Sequence, residues 1–158
     1  MTVITHNRRR SRLSSLIDQP GGISTGTALR QAADRLAVLQ AQSLDIIDAS
    51  IKALSALPAP TIIDQNQMAI DQAYRLSSSI IDAAGPFARV DLCAVASNLC
   101  DLLDAAPTET LFDWRIVTVH SQAFRLLMAL PPEEEDARTQ VLESLKGVLR
   151  VKVGETEA

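Results

Sequence analysis

The stretch TALRQAADRLAVLQAQSLDIIDASIKALSALPAP, residues 27–60, decides the fold class. Leu29, Ala33, Leu36, Leu44, Ile47, Ile51 and Leu54 fall at helical spacings and share one face, and Leu39, Ile46 and Leu57 widen it. The pattern predicts a helix that starts near Thr25 or Thr27. It ends at Leu57, because Pro58 and Pro60 lack the amide hydrogens a helix needs and clash with the preceding turn. Some thirty residues at about 1.5 Å each span roughly 45 Å. Gln40 and Ser43 interrupt the apolar seam, which leaves open one bent helix or two shorter ones.

The same periodicity continues toward the C-terminus. A second helix is expected to begin between Thr61 and Gln65, with Asp64 and Gln67 as a capping box and Met68, Ala69, Ala73, Leu76 and Ile80 facing inward. Gly85-Pro86 ends it. A third, about Asp91 to Asp104, carries Leu92, Val95, Ala96, Leu99 and Leu103 on a face wide enough for two neighbours. A fourth is expected from about Thr108 to Leu130, with Thr110 followed by Asp113 as cap, closed by Pro131-Pro132. The fifth opens at Pro132 or Glu133, and the acids Glu133 to Asp136 meet the positive pole of its dipole. No segment alternates with period two. Short links between amphipathic helices predict an all-α, antiparallel up-and-down bundle of four to five helices with a long first helix, over residues 25–153.

Residues 1–24 read as a flexible basic tail ending at the breaker Pro20-Gly21-Gly22. Arg8, Arg9, Arg10 and Arg12 lie within the first twelve residues, which hold no acid. The rest of the chain therefore carries eleven basic against nineteen acidic side chains, a net of −8 where the whole chain has −4. An acidic body argues against specific nucleic-acid binding, which needs a concentrated basic surface. The arginine cluster reads as a solvated tail or as a contact with an anionic surface. No apolar run reaches the roughly 20 residues of a transmembrane segment, and no secretory core is present, so the cytoplasm is the expected location. Cys93 and Cys100 lie about two helical turns apart, without redox or zinc spacing, and read as reduced core thiols.

His120 is the one reactive-looking residue of the body. With Trp114 set at zero and about 100° per residue, His120 falls near ~240° and Asp113 near ~260°. Both lie inside the arc of Phe124, Leu127, Met128, Val117 and Ile116. The leading reading is a core histidine that donates one ring proton to Asp113 or to a carbonyl. A contact in a partner-facing groove, a phospho-acceptor and a metal or acid–base group stand beside it. Two histidines, one of them in the tail, do not suit a three-ligand catalytic zinc site. Ser121 adjoins His120 and diverges from it, and no phosphate-binding loop occurs. The chain is therefore expected to be no enzyme and to need no metal or cofactor. Trp114 reads as a packing anchor or interface residue. Trp114 and Phe124, with Leu36, Leu44, Ile47 and Ile51 of the first helix, are the candidate contacts for a protein partner or a homodimer.

Two stretches carry a resemblance, Leu99-Cys-Asp-Leu-Leu103 and Phe112-Asp-Trp-Arg-Ile-Val-Thr-Val-His-Ser-Gln-Ala-Phe-Arg-Leu-Leu127. Over about residues 65–130 the chain resembles small helical proteins encoded near chemotaxis and two-component signalling genes in alphaproteobacteria. It is also similar to histidine phosphotransfer domains. The first resemblance implies a signalling accessory protein with a bundle fold, partnered by a receiver domain or another signalling protein. The second implies a phosphoryl relay through His120. Phosphotransfer domains place Lys three residues after the active histidine and Gly next, where this chain has Ala123 and Phe124.

Overall fold

The computed structural model describes residues 21–131 and 133–156, with side chains described for 21–131 and 133–148. Among these residues there are five α-helices and no strand: α1 Thr25–Ala56, α2 Ile63–Ala84, α3 Val90–Asp104, α4 Arg115–Ala129 and α5 Glu135–Thr156. The expected all-α bundle is what forms. The described residues fall into two units, divided between Val38 and Leu39. No helix among the described residues is long and apolar enough to cross a membrane.

α1 is one continuous helix of 32 residues. Ser24 caps it, its hydroxyl accepting the Thr27 amide hydrogen at 3.2 Å. In the unit of residues 1–38, every described side chain except those of Thr27 and Ala28 is exposed. From Ser43 onward α1 buries Ser43, Ile47, Ser50, Ile51 and Leu54. Ser43, a polar break in the apolar seam, donates to the Ala83 carbonyl of α2, and Ser50 donates to Ser79 at 3.4 Å. These two pairings run in opposite chain directions.

α2 starts at Ile63 with no side-chain cap, so the expected Asp64–Gln67 box does not form. Asp64 lies inside the first turn, where its charge suits the dipole, and Gln67 donates to Asp71 at 2.8 Å. The buried line of α2 is Asn66, Ile70, Ala73, Ser77, Ile80 and Ala84. Met68, expected inside, is exposed. Ser77 fits the core because its hydroxyl donates to Ala73 O one turn back, at 2.9 Å. A 3-10 turn, Gly85–Phe87, then leads to Ala88, whose φ of 55° is left-handed. That conformation is unfavourable for a residue with a Cβ.

α3 is the central helix and packs against α2, α4 and α5. It buries Leu92, Val95, Ala96, Leu99, Leu102 and Leu103 together with Asn98 and Cys100. The main core joins the apolar six of these to Ile47, Ile51 and Leu54 of α1, Ile80 of α2, Phe124 and Leu127 of α4, and Leu145 of α5.

α4 begins at Arg115, later than the expected Thr108, and Thr110 does not cap it. The cause is a long-range bond. Asn66 of α2 accepts the Phe112 amide hydrogen at 3.1 Å and donates to the Thr110 carbonyl at 3.3 Å. The Phe112 amide is therefore committed to α2 and unavailable to a helical turn, and Asp113, just before the N-cap Trp114, accepts the Arg115 amide hydrogen at 3.2 Å. Asn66→Leu should cost about 1–3 kcal/mol, because it leaves a buried amide hydrogen unpaired. Urea denaturation measures the loss, and an unchanged midpoint would remove Asn66 as the tie of this segment. α5 carries Glu135 and Asp136 in its first turn, as the dipole favours.

Candidate functional site

His120 lies on the third inward position of α4, after Ile116 and Val117, and its side chain is fully buried. Nδ1–H donates to the Ile116 carbonyl one turn back at 2.8 Å. Nε2 lies 3.1 Å from the side-chain oxygen of Asn98 on α3. Burial is the main cause that pushes the imidazole below its ordinary value, and the bond to Ile116 opposes it. Ser121 beside it is also buried and donates to Val117 O at 2.8 Å. Its hydroxyl is turned along its own helix.

Asp113, the other expected partner of His120, holds Arg115 instead through two bonds of 2.8 Å. Asp113 lies before α4 begins, so the helical spacing that was to bring it near His120 does not apply, and the carbonyl one turn back takes the ring proton. Asn98 is the partner that the reading of the residues missed. The available signal was a polar side chain on the apolar stripe of each of two helices, Asn98 between Val95 and Leu102 and His120 between Val117 and Phe124.

The expected contact residues separate into three groups. Ile47, Ile51 and Phe124 are core residues with at most 3% exposure, so as placed they present no surface to a partner. The stripe that carries them packs within the core of the chain itself. Trp114 and Leu44 are half-buried. Trp114 donates through Nε1 to Leu57 O at 3.4 Å and meets Phe112 edge to face at 6.4 Å. A groove of about 160 Å³ runs beside it, lined by Leu57, Thr118 and Arg125 among others. Arg125 therefore faces the groove with Trp114, away from the buried ring of His120. Leu36 alone of the six is exposed, at 57%. The cluster Arg8, Arg9, Arg10 and Arg12 lies outside the described residues.

Neither thiol is poised for chemistry. Burial, followed by the nearby Asp104 and Asp101, pushes Cys100 up to about 11, and burial also raises Cys93. Among the described residues, no group of three or more His, Cys, Asp or Glu is arranged to hold a metal ion. A groove of about 640 Å³ between α2 and α3 has Asp71, Tyr74, Arg75 and Asp104 on its walls. Asp104 is the leading cause that raises the Tyr74 phenol.

No protein-family model, curated protein or solved structure matches the chain.

Proposed function

We propose that the chain is a non-catalytic helical adaptor or regulatory protein that acts in the cytoplasm through protein–protein contacts. The observation that supports this most is the contrast between its sealed histidine and its uncovered leucines. Leu29 and Leu36 lie seven residues apart on α1, on one helix face, and are 66% and 57% exposed. Ala32 and Ala33 between them are exposed as well. Large apolar side chains aligned on a helix and left in water favour a covering partner. The signalling setting, with a receiver domain as one candidate partner, rests on the resemblance alone.

A second copy of the chain is the first partner to test, because a C2 pairing covers the same face on both chains at once. Leu29→Glu/Leu36→Glu should shift the protein to monomer across a wide concentration range while leaving its unfolding within about 0.5 kcal/mol of the parent, as surface changes do. Sedimentation equilibrium reads the first quantity and urea denaturation the second. A parent chain that stays monomeric at high concentration would remove the homodimer. Crosslinking with isolated receiver domains, lost in the same double variant, would then support a heteromeric contact on that face.

The alternative, phosphoryl relay through His120, requires the imidazole to meet an incoming aspartyl phosphate. Both ring nitrogens face hydrogen-bonding partners and the ring has no exposed surface, so this conformation offers no line of attack. Incubation with phosphorylated receivers that labels His120 would revive it.

A further inference from the structure

The two atoms that His120 faces are both oxygens. The Ile116 carbonyl can only accept, so Nδ1 carries a proton in either charge state. Nε2 faces Asn98 Oδ1, also an acceptor, and this arrangement suits a protonated ring. A neutral ring has a lone pair at Nε2 and needs a donor there. A half-turn of the Asn98 amide supplies it by presenting Nδ2–H₂ in place of Oδ1. The amide can therefore bond the ring in either charge state, so what acid adds is not a missing hydrogen bond but a buried positive charge.

The charged groups around this pair have other commitments. On α3, Asp91 pairs with Arg138 of α5 and with Arg89, and Asp101 and Asp104 lie by Tyr74 and Cys100, toward α2. On α4, Arg115 holds Asp113, and Arg125 lines the groove with Trp114. On α1, Lys52 pairs with Asp48 among exposed side chains, and on α5 Lys146 pairs with Glu143 in the same way. Among the described residues, no carboxylate makes a hydrogen bond or ion pair with His120. A buried imidazolium at this place makes no ion pair with a described residue, and that favours the neutral ring.

We propose that His120 and Asn98 form a proton-operated latch between α3 and α4, closed while Asn98 donates to a neutral ring and opened when acid protonates it. The sign follows from linkage. The unfolded histidine takes up its proton below about pH 6.5, whereas the buried one resists until the pH is lower. The unfolded or opened state thus binds more protons in that interval. The contribution is complete above about 6.5 and is lost as pH falls through that value toward the lower folded one. At the limit of one proton, the opening constant rises about tenfold per pH unit within this window.

The test is amide hydrogen exchange on α4, corrected for its intrinsic acid dependence, together with urea denaturation, from about pH 7.5 to about pH 5. The parent should lose protection and stability toward acid, and His120→Gln should flatten both profiles. Nitrogen NMR of the imidazole at neutral pH should find Nδ1 protonated and Nε2 bare. Asn98→Asp keeps the test valid should His120→Gln fail to fold. Its carboxylate should hold the ring charged and raise the folded value above 6.5, so that its contribution is present below about 6.5 and lost as pH rises through the raised value. A flat parent profile, an acid slope unchanged by His120→Gln, a proton resident on Nε2 at neutral pH, or a parental slope in Asn98→Asp would each overturn the latch.

Discussion

Phe124→Ala should lose about 3–5 kcal/mol of folding stability, the cost of removing a fully enclosed aromatic ring and leaving a cavity. Phe124 has no exposed surface and belongs to the core cluster with Leu92, Leu99 and Leu127. A contact residue on an interface would behave in the opposite way, with stability within about 0.5 kcal/mol of the parent and binding reduced. The same contrast separates residues of one helix. Ile47→Ala should cost about 2–5 kcal/mol, whereas Leu36→Ala should be close to neutral because its side chain already stands in water. Urea denaturation of the three variants checks the assignment. A Phe124→Ala protein as stable as its parent would put the ring outside the core and restore it as a contact candidate.

Periodicity made the helices legible, and polar side chains inside the core limited what else could be read. α1 and α3 lie within a residue or two of their expected bounds because proline and glycine stop helices through local sterics, whatever the rest of the chain does. The start of α4 was out of reach. Asn66 ties Phe112 and Thr110 across more than forty residues, and no window on the sequence contains both ends of that tie. The inward line of α2 departs from the expected one for a related reason. Asn66 and Ser77 occupy core positions that a hydrophobic pattern assigns to solvent, so exposed Met68 looked like the better candidate. Ser43 was likewise read as an interruption of the seam, whereas it bonds α1 to α2.

The candidate site follows the same rule. The inward aim of His120 was legible from helical angle alone, and the carbonyl of Ile116 as a proton acceptor follows from helix geometry one turn back. Its partner was not legible, because pairing Asn98 with His120 requires knowing which face of α3 meets α4. Exposure of the α1 leucines was equally hidden. Leu29 and Leu36 share a stripe with Ile47 and Leu54, and periodicity carries no information on which residues of a stripe are covered.

Arg138→Met is the second variant with a large expected effect, a loss of about 2–4 kcal/mol. The Arg138 guanidinium joins three helix ends. Its Nη1 donates to Asp91 in the first turn of α3. Its Nη2 donates to Leu127 O at 3.1 Å and to Leu130 O, and its Nε donates to Pro131 O at 3.1 Å. The last carbonyls of α4 have no amide partners within their own helix, and a cation at that end also suits the dipole. Asp91 places the matching negative charge at the start of α3. The pair is mostly buried, at 13% and 15% side-chain exposure, so removing Arg138 leaves Asp91 only the longer contact with Arg89 at 3.8 Å. Methionine retains the alkyl stem, and the loss then reports the charge and its four bonds rather than packing.

Asp91→Asn should cost less, about 1–2 kcal/mol, because the three carbonyl bonds survive it. The double variant should cost less than the sum of the two, with a coupling of about 1–2 kcal/mol, since each single change breaks the same ion pair. Arg138→Lys should recover only part of the loss. An ammonium has no planar fork, and it cannot reach a carboxylate on one side and three carbonyls on the other from a single position. Urea denaturation of the four proteins closes the cycle. Full recovery by lysine would mean that charge alone joins the helix ends, and additive losses would mean that Arg138 acts through the α4 carbonyls without Asp91.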